Sequence, residues 1–576
     1  MPIIIFQSLK ERFSIISLSV IVFSFMIILF SGCVRKSQQS QFEVRALWVD
    51  PPGFKDKETV DGLIEKCRKA GINTIIPDIM LRENVWFKSV NFAGKVNADD
   101  QFDPLEYLIK KAHADGIKVQ AWSCVYHSIA KYPEWNSKPF ASDNYNGGFL
   151  SAAHPDVNPY LLSVLRELLN YDIDGIHLDY TRYWNAAFDY SDAACNRFRA
   201  SHGFNPKDFL DHPERIVPPD KDVYPVRVLC PLKMAEWEMG SVERNLNRTE
   251  IGYAYLSEQT ANIDALKTPG LLIVSYYHQV PADMINALER FVNRGGDIVW
   301  MDPTSDLFNK QEFNALTGIT GARYFGLDRM KFRTLDDHPF GKLFDTLQVK
   351  IDGNLLTEGE AEVIACTDSG EPVIRILQKG KGHVMTVGLG VMDSGSQEII
   401  QLLIDIITGF KTQAGITGPD LMAEKRKLWI DWRASFPLDL VCELNKMIKE
   451  KNPDLLLTAA AGVGPQEYYS IYRDGRDWLI ENIVDYIFPM NYTEEIDDLQ
   501  DILDEQLFHT PDDMSDRIYP GLQLYTFRNN NAASIDASIV DEQIGLIKQY
   551  GYRGFCLFAY SYFSDEIIEV VKKYSQ

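Results

Sequence analysis

From Glu43 onward, short apolar runs of strand length alternate with stretches whose apolar residues recur every three or four positions. Such alternation is the mark of parallel strands covered by amphipathic helices. Four strands are predicted first: VRALWVD (44–50), NTIIPDIM (73–80), KVQAWSCVY (118–126) and GIHLDYTRY (175–183). Four more follow much later, DLLLTAAAG (454–462), VDYIFPMNY (484–492), RIYPGLQLY (517–525) and RGFCLFAY (553–560). Helical patterns fall over 60–70, 104–115, 159–171 and 437–451, with Gly71, Gly116 and Gly551 as stops. Eight strand and helix units predict an α/β fold, a (β/α)8 TIM barrel, with its first half over 43–216 and its second over 426–576.

The interval between the fourth and fifth strands is too long for a barrel connection. Residues 217–425 have a pattern of their own: strands at 225–231, 251–257, 271–277 and 295–302, a helix over 281–293, then AEVIACT, PVIRILQ and GHVMTVGLG. The reading is an inserted flavodoxin-like α/β domain after strand four, punctuated by Pro218-Pro219 and by 415–419, and a candidate surface for homo-oligomer formation.

Ahead of the barrel, Lys10 and Arg12 precede a nearly uncharged run over 13–30 that ends in Leu29-Phe30-Ser31-Gly32-Cys33. This looks like a bacterial lipobox, although Phe30 departs from the usual Leu. It predicts a signal peptide over 1–32, a lipid anchor on Cys33 and a tether over 33–42. An uncleaved membrane anchor is the alternative, and both put the chain outside the cytoplasm. Val34 is not the Asp that retains lipoproteins in the inner membrane, so the expected location is the outer membrane or cell surface.

Charge narrows the partners. A net charge of −23 with no basic stripe argues against nucleic acid and anionic polymers, while neutral glycans remain compatible. Seven cysteines follow Cys33, at 67, 124, 195, 230, 366, 442 and 556, widely spaced and without CxxC; they are expected to be small buried hydrophobes. No metal-ligand spacing and no phosphate loop is present, so neither metal nor cofactor is expected.

The segment YDIDGIHLDYTRYW (171–184) concentrates the chemistry. A buried strand delivers Asp179 to its end, followed by Arg182, which can hold a charge or a hydroxyl, and by aromatic faces that can stack on a sugar. Asp174 precedes the strand and reads as a turn carboxylate.

The barrel segments resemble the glycosyl-hydrolase-like 10 family. The matching blocks are EVRALWVD, DPLEYLIKKAHADGIKVQAW, HPDVNPYLLSVLRELLNYDIDGIHLDYTRYW, WIDWRASFPLDLVCELNKMIKEKNPDLLLTAAA, DWLIENIVDYIFPMNYTEE and YGYRGFCLFAYSYF, in the family's order. The resemblance implies an extracellular barrel that hydrolyses a glycosidic bond in a polysaccharide. Within the interval, LLIVSYYHQVPADMINALERFVNRGGDIVWMD resembles glutamine-amidotransferase-like domains. Pro303-Thr304-Ser305 follows where such an enzyme needs its cysteine, so the insert is read as a module without that chemistry.

Side chains at the carboxyl ends of barrel strands converge on one pocket. Asp50, Asp78, Asp179, Glu494 and Glu495 are the carboxylates at such positions. Glycoside cleavage uses two, and the first choice pairs Asp179, on which the family's aspartate motif falls, with Glu494; Glu495 is the rival. Arg182, Asn491 and Tyr492 are expected to bind hydroxyls, Trp122, Tyr126 and Trp184 to stack on sugar rings, and His127 to orient a carboxylate or donate to substrate. Asp431 and Arg433 are expected to pair at the rim. A glycoside hydrolase is the leading reading and a non-catalytic glycan-binding surface lipoprotein the alternative, since strand five ends in TAAAG without a Glu. A deacetylase or lyase is a weaker third, lacking any metal-ligand cluster for the former.

Overall fold

The computed structural model describes residues 42–575 apart from 141–146, 219–224, 232–235, 267–268, 277–279, 336–342, 344–345, 417, 512 and 529–530. Cys33, the 1–32 segment, Pro219 and Thr417 lie outside the described residues.

Eight strands, Val44–Val49, Thr74–Leu81, Lys118–Cys124, Gly175–Asp179, Leu456–Ala459, Tyr486–Ile487, Gly521–Gln523 and Gly554–Phe558, form one parallel path. Counted along the chain, their order across the sheet is six-five-four-three-two-one-eight-seven. The outermost two meet through parallel bridges, Ile487 to Ile518 and Met490 to Gly521, so the sheet curls into a TIM-barrel-like ring. Strand six is shorter than the apolar run suggests because Pro489 has no N–H to give; its carbonyl instead accepts from Gly521 N at 2.8 Å.

Period-two alternation decides what faces inward. On strand four Ile176 and Leu178 join the large core that includes the covering helices, whereas His177 and Asp179 point into the ring. Trp48, Ile76, Trp122, Cys124, Phe488 and Cys556 fill the ring below the site. One polar chain threads this plug: Trp48 Nε1 donates to His177 Nε2 (3.1 Å), His177 Nδ1 meets Thr458 Oγ1 (2.9 Å), and Thr458 donates to Gln120 (2.7 Å). Burial lowers the His177 pKa to about 3, so the ring is neutral and both its nitrogens have a partner. Gly521 is required beside it, since a Cβ there would stand 2.7 Å from the Trp48 ring. Helix starts are locally encoded: Asp56 and Thr59 form a capping box, and Asp103 caps the helix that opens with Pro104.

A second, nine-stranded sheet is built from the chain between strands four and five. Its parallel part comprises Val226–Cys230, Ala254–Ser257, Leu271–Val274, Asp297–Met301 and Gly382–Val387. Four antiparallel strands extend it, among them the long hairpin Ile319–Thr334 and Leu347–Gly359, which the apolar pattern did not announce. That hairpin reaches the helix Ile496–His509 after strand six, where Lys350 pairs with Asp498 at 2.8 Å and Arg329 with Asp501.

The return to the barrel corrects the sequence reading. One continuous helix, Leu421–Lys451, crosses the expected 425/426 boundary and contains Pro437, where a new helix was predicted to begin. Asp420 caps it through Ala423 N (3.0 Å). Asp431 and Arg433 do not pair: Asp431 binds Lys427 (2.7 Å) and Tyr468, while fully buried Arg433 donates to the Phe188 carbonyl (2.6 Å). Two positions apart on a helix, they point to different faces. Arg433 joins Arg426 around buried Glu243 of the helix Glu236–Arg248, at 3.7 and 3.3 Å, and the hydroxyls of Tyr190 and Tyr255 donate to the same carboxylate at 3.1 Å each. Of the cysteines with described side chains, five are buried as expected and Cys442 is exposed.

Candidate active site

The carboxyl ends of strands two and four bring two inward-facing carboxyls together. Asp179 is 6% exposed, and its Oδ1 accepts the Tyr180 backbone N–H at 2.6 Å. Tyr180 holds φ 50, an uncommon conformation for a bulky residue, found where surrounding structure enforces it. Asp78 is 3% exposed, next to a register shift in strand two, and the Cys124 thiol lies 3.8 Å from both its oxygens. Burial pushes the Asp78 carboxyl well above the usual carboxylate range, and the charge of Asp179 pushes it further. Asp179 is also raised by burial, but the Tyr180 N–H, Arg182 and Arg473 act against that shift. Asp50, after strand one, accepts from the Ser561 hydroxyl and adds to the field on Asp78.

Two arginines frame Asp179. Arg182 donates to the Tyr183 and Trp184 carbonyls (3.1 and 3.3 Å) and lies over the Tyr180 and Phe149 rings at 5.0 and 5.9 Å. Arg473 is buried in a two-pronged pair with Glu467 (2.9 and 2.7 Å) and donates to the Ala460 carbonyl (2.8 Å). Sequence reasoning missed Arg473 because it follows a short helix, Gln466–Ile471, rather than a strand. His127 Nδ1 accepts the Arg82 N–H at 3.2 Å, and burial lowers its pKa to about 4. Its neutral ring therefore bears its proton on Nε2 and lies tilted against Tyr180, with ring centroids 4.4 Å apart. The buried Trp122 indole N–H lies close enough to Asp179 to act, like the Tyr180 N–H, against the rise of its pKa.

The other expected residues divide. Tyr492 is half-buried and stacked on Phe558 at 5.3 Å, and its phenol pKa is raised by burial first and then by the charge of nearby Asp179. Trp184 is 39% exposed, with its ring 5.0 Å from Phe149. Tyr126 is not a stacking surface: it is fully buried and donates to Asn158 at 2.8 Å. Asn491 is likewise committed inside, in a reciprocal pair with Gln506 (2.6 and 3.3 Å). Glu494 and Glu495 are both exposed; Glu494 accepts the Thr526 hydroxyl, and Glu495 stands at the start of the helix Ile496–His509. The charged neighbours of Asp179 are thus Asp78, Arg182 and Arg473 rather than the rim glutamates. Asp174 is a turn carboxylate, bound by Val119 N (2.7 Å) and His113 (2.9 Å).

The sequence profile of the family described as glycosyl hydrolase-like 10 matches residues 43–211 and 410–540, more than half of the chain and both arms of the ring. The chain belongs to the glycosyl hydrolase-like 10 family. Among curated proteins, this glycosyl hydrolase-like 10 chain is 24% identical over 175 residues to the glycosyl hydrolase YngK of Bacillus subtilis (strain 168), a match spanning 24% of this chain and 33% of YngK. It is 22% identical over 210 residues to an S-layer-related protein of Niallia circulans, covering 30% of this chain and 13% of that one. The chain thus spans a third or less of these relatives. Among solved structures, the PgaB (BpsB) glycoside hydrolase domain from Bordetella bronchiseptica aligns over 92% of this chain and 99% of its own, at 9% identity and a TM-score of 0.44. A beta-galactosidase from Bacillus circulans sp. alkalophilus aligns over 66% of this chain and 91% of its own, at 12% identity and a TM-score of 0.27.

Proposed function

We propose that this chain hydrolyses glycosidic bonds in a polysaccharide or oligosaccharide, with Asp78 and Asp179 as the reacting carboxyl groups. The observation behind this reading is the buried pair itself: two carboxyls in each other's field whose surroundings differ. Burial and the neighbouring charge favour the protonated form of Asp78, while for Asp179 the rise due to burial is opposed by an N–H donor and two guanidiniums that favour its ionised form. Asp78 gives its proton to the glycosidic oxygen as the bond from that oxygen to the anomeric carbon breaks. The Asp179 carboxylate stabilises the positive charge developing on that carbon. Water then adds its oxygen to the anomeric carbon, and the proton it releases restores the pair. Arg182 and His127 Nε2–H are donors for ring hydroxyls, and the Trp122 N–H, beside Asp179, helps hold that carboxylate.

Asp78 acts only when protonated, so kcat falls as pH rises through the upper apparent pKa of the pair, which lies above the ordinary carboxylate range. Asp78→Asn is expected to erase this alkaline limb and lower kcat by about 10²–10⁴-fold. The measurement is release of reducing ends from plant, algal, host and bacterial glycans, and an unchanged pH profile would remove Asp78 from the mechanism. Binding without product across the panel would favour the glycan-binding reading, which the uncharged end of strand five supports.

We read Cys33 as the lipid-bearing residue, on the strength of the Leu29–Cys33 residues, with the chain at the outer membrane or cell surface. Cys33→Ala is expected to shift the protein from the membrane to the soluble fraction. The second sheet is read as an amidotransferase-like insert without amidotransferase chemistry, because Asp302 at the end of its strand is followed by Pro303, Thr304 and Ser305 and no cysteine.

A further inference from the structure

We propose that the hairpin Tyr525–Arg528 and Asn531–Ser534, which follows strand seven, is a distal binding platform for a neutral glycan several sugars long, held in place by Glu494. This rests on the reading of the mouth as a sugar-cleaving site. It adds a subsite and gives Glu494 a positioning role.

The argument begins with alternation. In a two-stranded hairpin Tyr525 and Phe527 share one face and Thr526 takes the other. Thr526 is 8% exposed, and its hydroxyl donates to the Glu494 carboxylate, so the hairpin is tied to the loop after strand six. On the aromatic face the cross-strand partners are small: Tyr525 lies opposite Ser534 and Phe527 opposite Ala532. Neither covers a ring, and Phe527 is left 69% exposed.

A lone exposed Phe would need no explanation. Here the ring ends a continuous series. Tyr492, beside Asp179, stacks on Phe558 (5.3 Å); Phe558 meets the Tyr525 edge (6.1 Å); Tyr525 meets both Tyr562 and Phe527 (5.6 Å each). The series leads from the reacting carboxylates to the rim and is longer than one pyranose ring. The rings meet edge to face, 76° between Phe558 and Tyr525 and 85° between Tyr525 and Phe527, so they brace one another and leave the Phe527 face at the rim open to the C–H face of a sugar. A net charge of −23 makes a polyanionic glycan a poor occupant.

The test is affinity electrophoresis of the full-length, detergent-solubilised chain bearing Asp179→Asn, through gels containing β-glucan, xylan, mannan or arabinan. At least one polymer is expected to retard it, and adding Phe527→Ala is expected to weaken that retardation about tenfold in dissociation constant. Glu494→Ala is expected to weaken it comparably. Glu494→Gln is expected to keep it, because the amide oxygen still accepts from Thr526. In the active background, Phe527→Ala is expected to raise KM on the polymer while kcat holds. Retardation by none of the polymers, or retardation indifferent to Phe527→Ala, overturns the platform and leaves the Asp78–Asp179 assignment standing. If Glu494→Gln abolishes turnover as Asp179→Asn does, Glu494 reacts with substrate and its positioning role is overturned.

Discussion

Asp179→Asn is expected to yield a folded protein that releases almost no reducing ends, with turnover down about 10²–10⁴-fold. In the proposed mechanism the substitution removes the negative charge that would stabilise the anomeric carbon, but it removes little of the packing, since the amide oxygen can still accept the Tyr180 N–H now at 2.6 Å from Oδ1. Stability separates lost chemistry from lost structure. The folded pKa of Asp179 is raised, so between its unfolded and folded values the native state binds more protons, and stability falls as pH rises through that window. Neutral Asn escapes this loss. The variant is therefore expected to match or exceed the parent in denaturant midpoint at neutral pH while losing activity. Undiminished product formation would remove Asp179 from the mechanism, and a large drop in midpoint would make its role structural.

The largest stability effect is expected far from the mouth, at Glu243→Ala. Glu243 is fully buried and faces Arg426 and Arg433, both on the helix that re-enters the barrel. Arg426 is sandwiched over Tyr253 (3.9 Å) and Phe209 (4.0 Å), and Arg433 over Tyr472 (3.7 Å), so neither guanidinium has an easy route to water. Removing the carboxylate strands two buried cations and two tyrosine hydroxyls, at a cost of about 3–5 kcal/mol. Equilibrium unfolding in urea reads this as a lower midpoint. A midpoint equal to the parent's would mean that solvent reaches the arginines. Because Glu243 belongs to the interval and the arginines to the returning helix, the same measurement reports how firmly the second sheet is joined to the ring.

Much of the ring was legible beforehand. Apolar runs separated by amphipathic stretches locate all eight strands, and alternation along GIHLD requires that His177 and Asp179 share a face opposite Ile176 and Leu178. The site was legible in part. Asp179, Arg182 and His127 stand near strand ends, where local pattern is informative. Tyr126 and Asn491 were misread because an aromatic or amide near a strand end looks the same in sequence whether it lines the mouth or completes the core. Where Glu494 would stand was not legible, because a carboxylate two residues past a strand reaches the pocket or the rim according to where the next hairpin lies, and its partner Thr526 is 32 residues away.

The sequence by itself determined the alternation of strands and helices, the long interval between strands four and five, and the inward direction of Asp179. These are consequences of short-range periodicity and of which residues can be buried. Only the tertiary structure decided that Asp78 and Cys124 close on Asp179, that Arg473 arrives from beyond strand five, that a single helix bridges the second sheet and the barrel, and that an aromatic hairpin continues the mouth. Each depends on how strands are staggered around a closed ring and how loops pack across it, and residues distant along the chain become neighbours only when that closure sets their register.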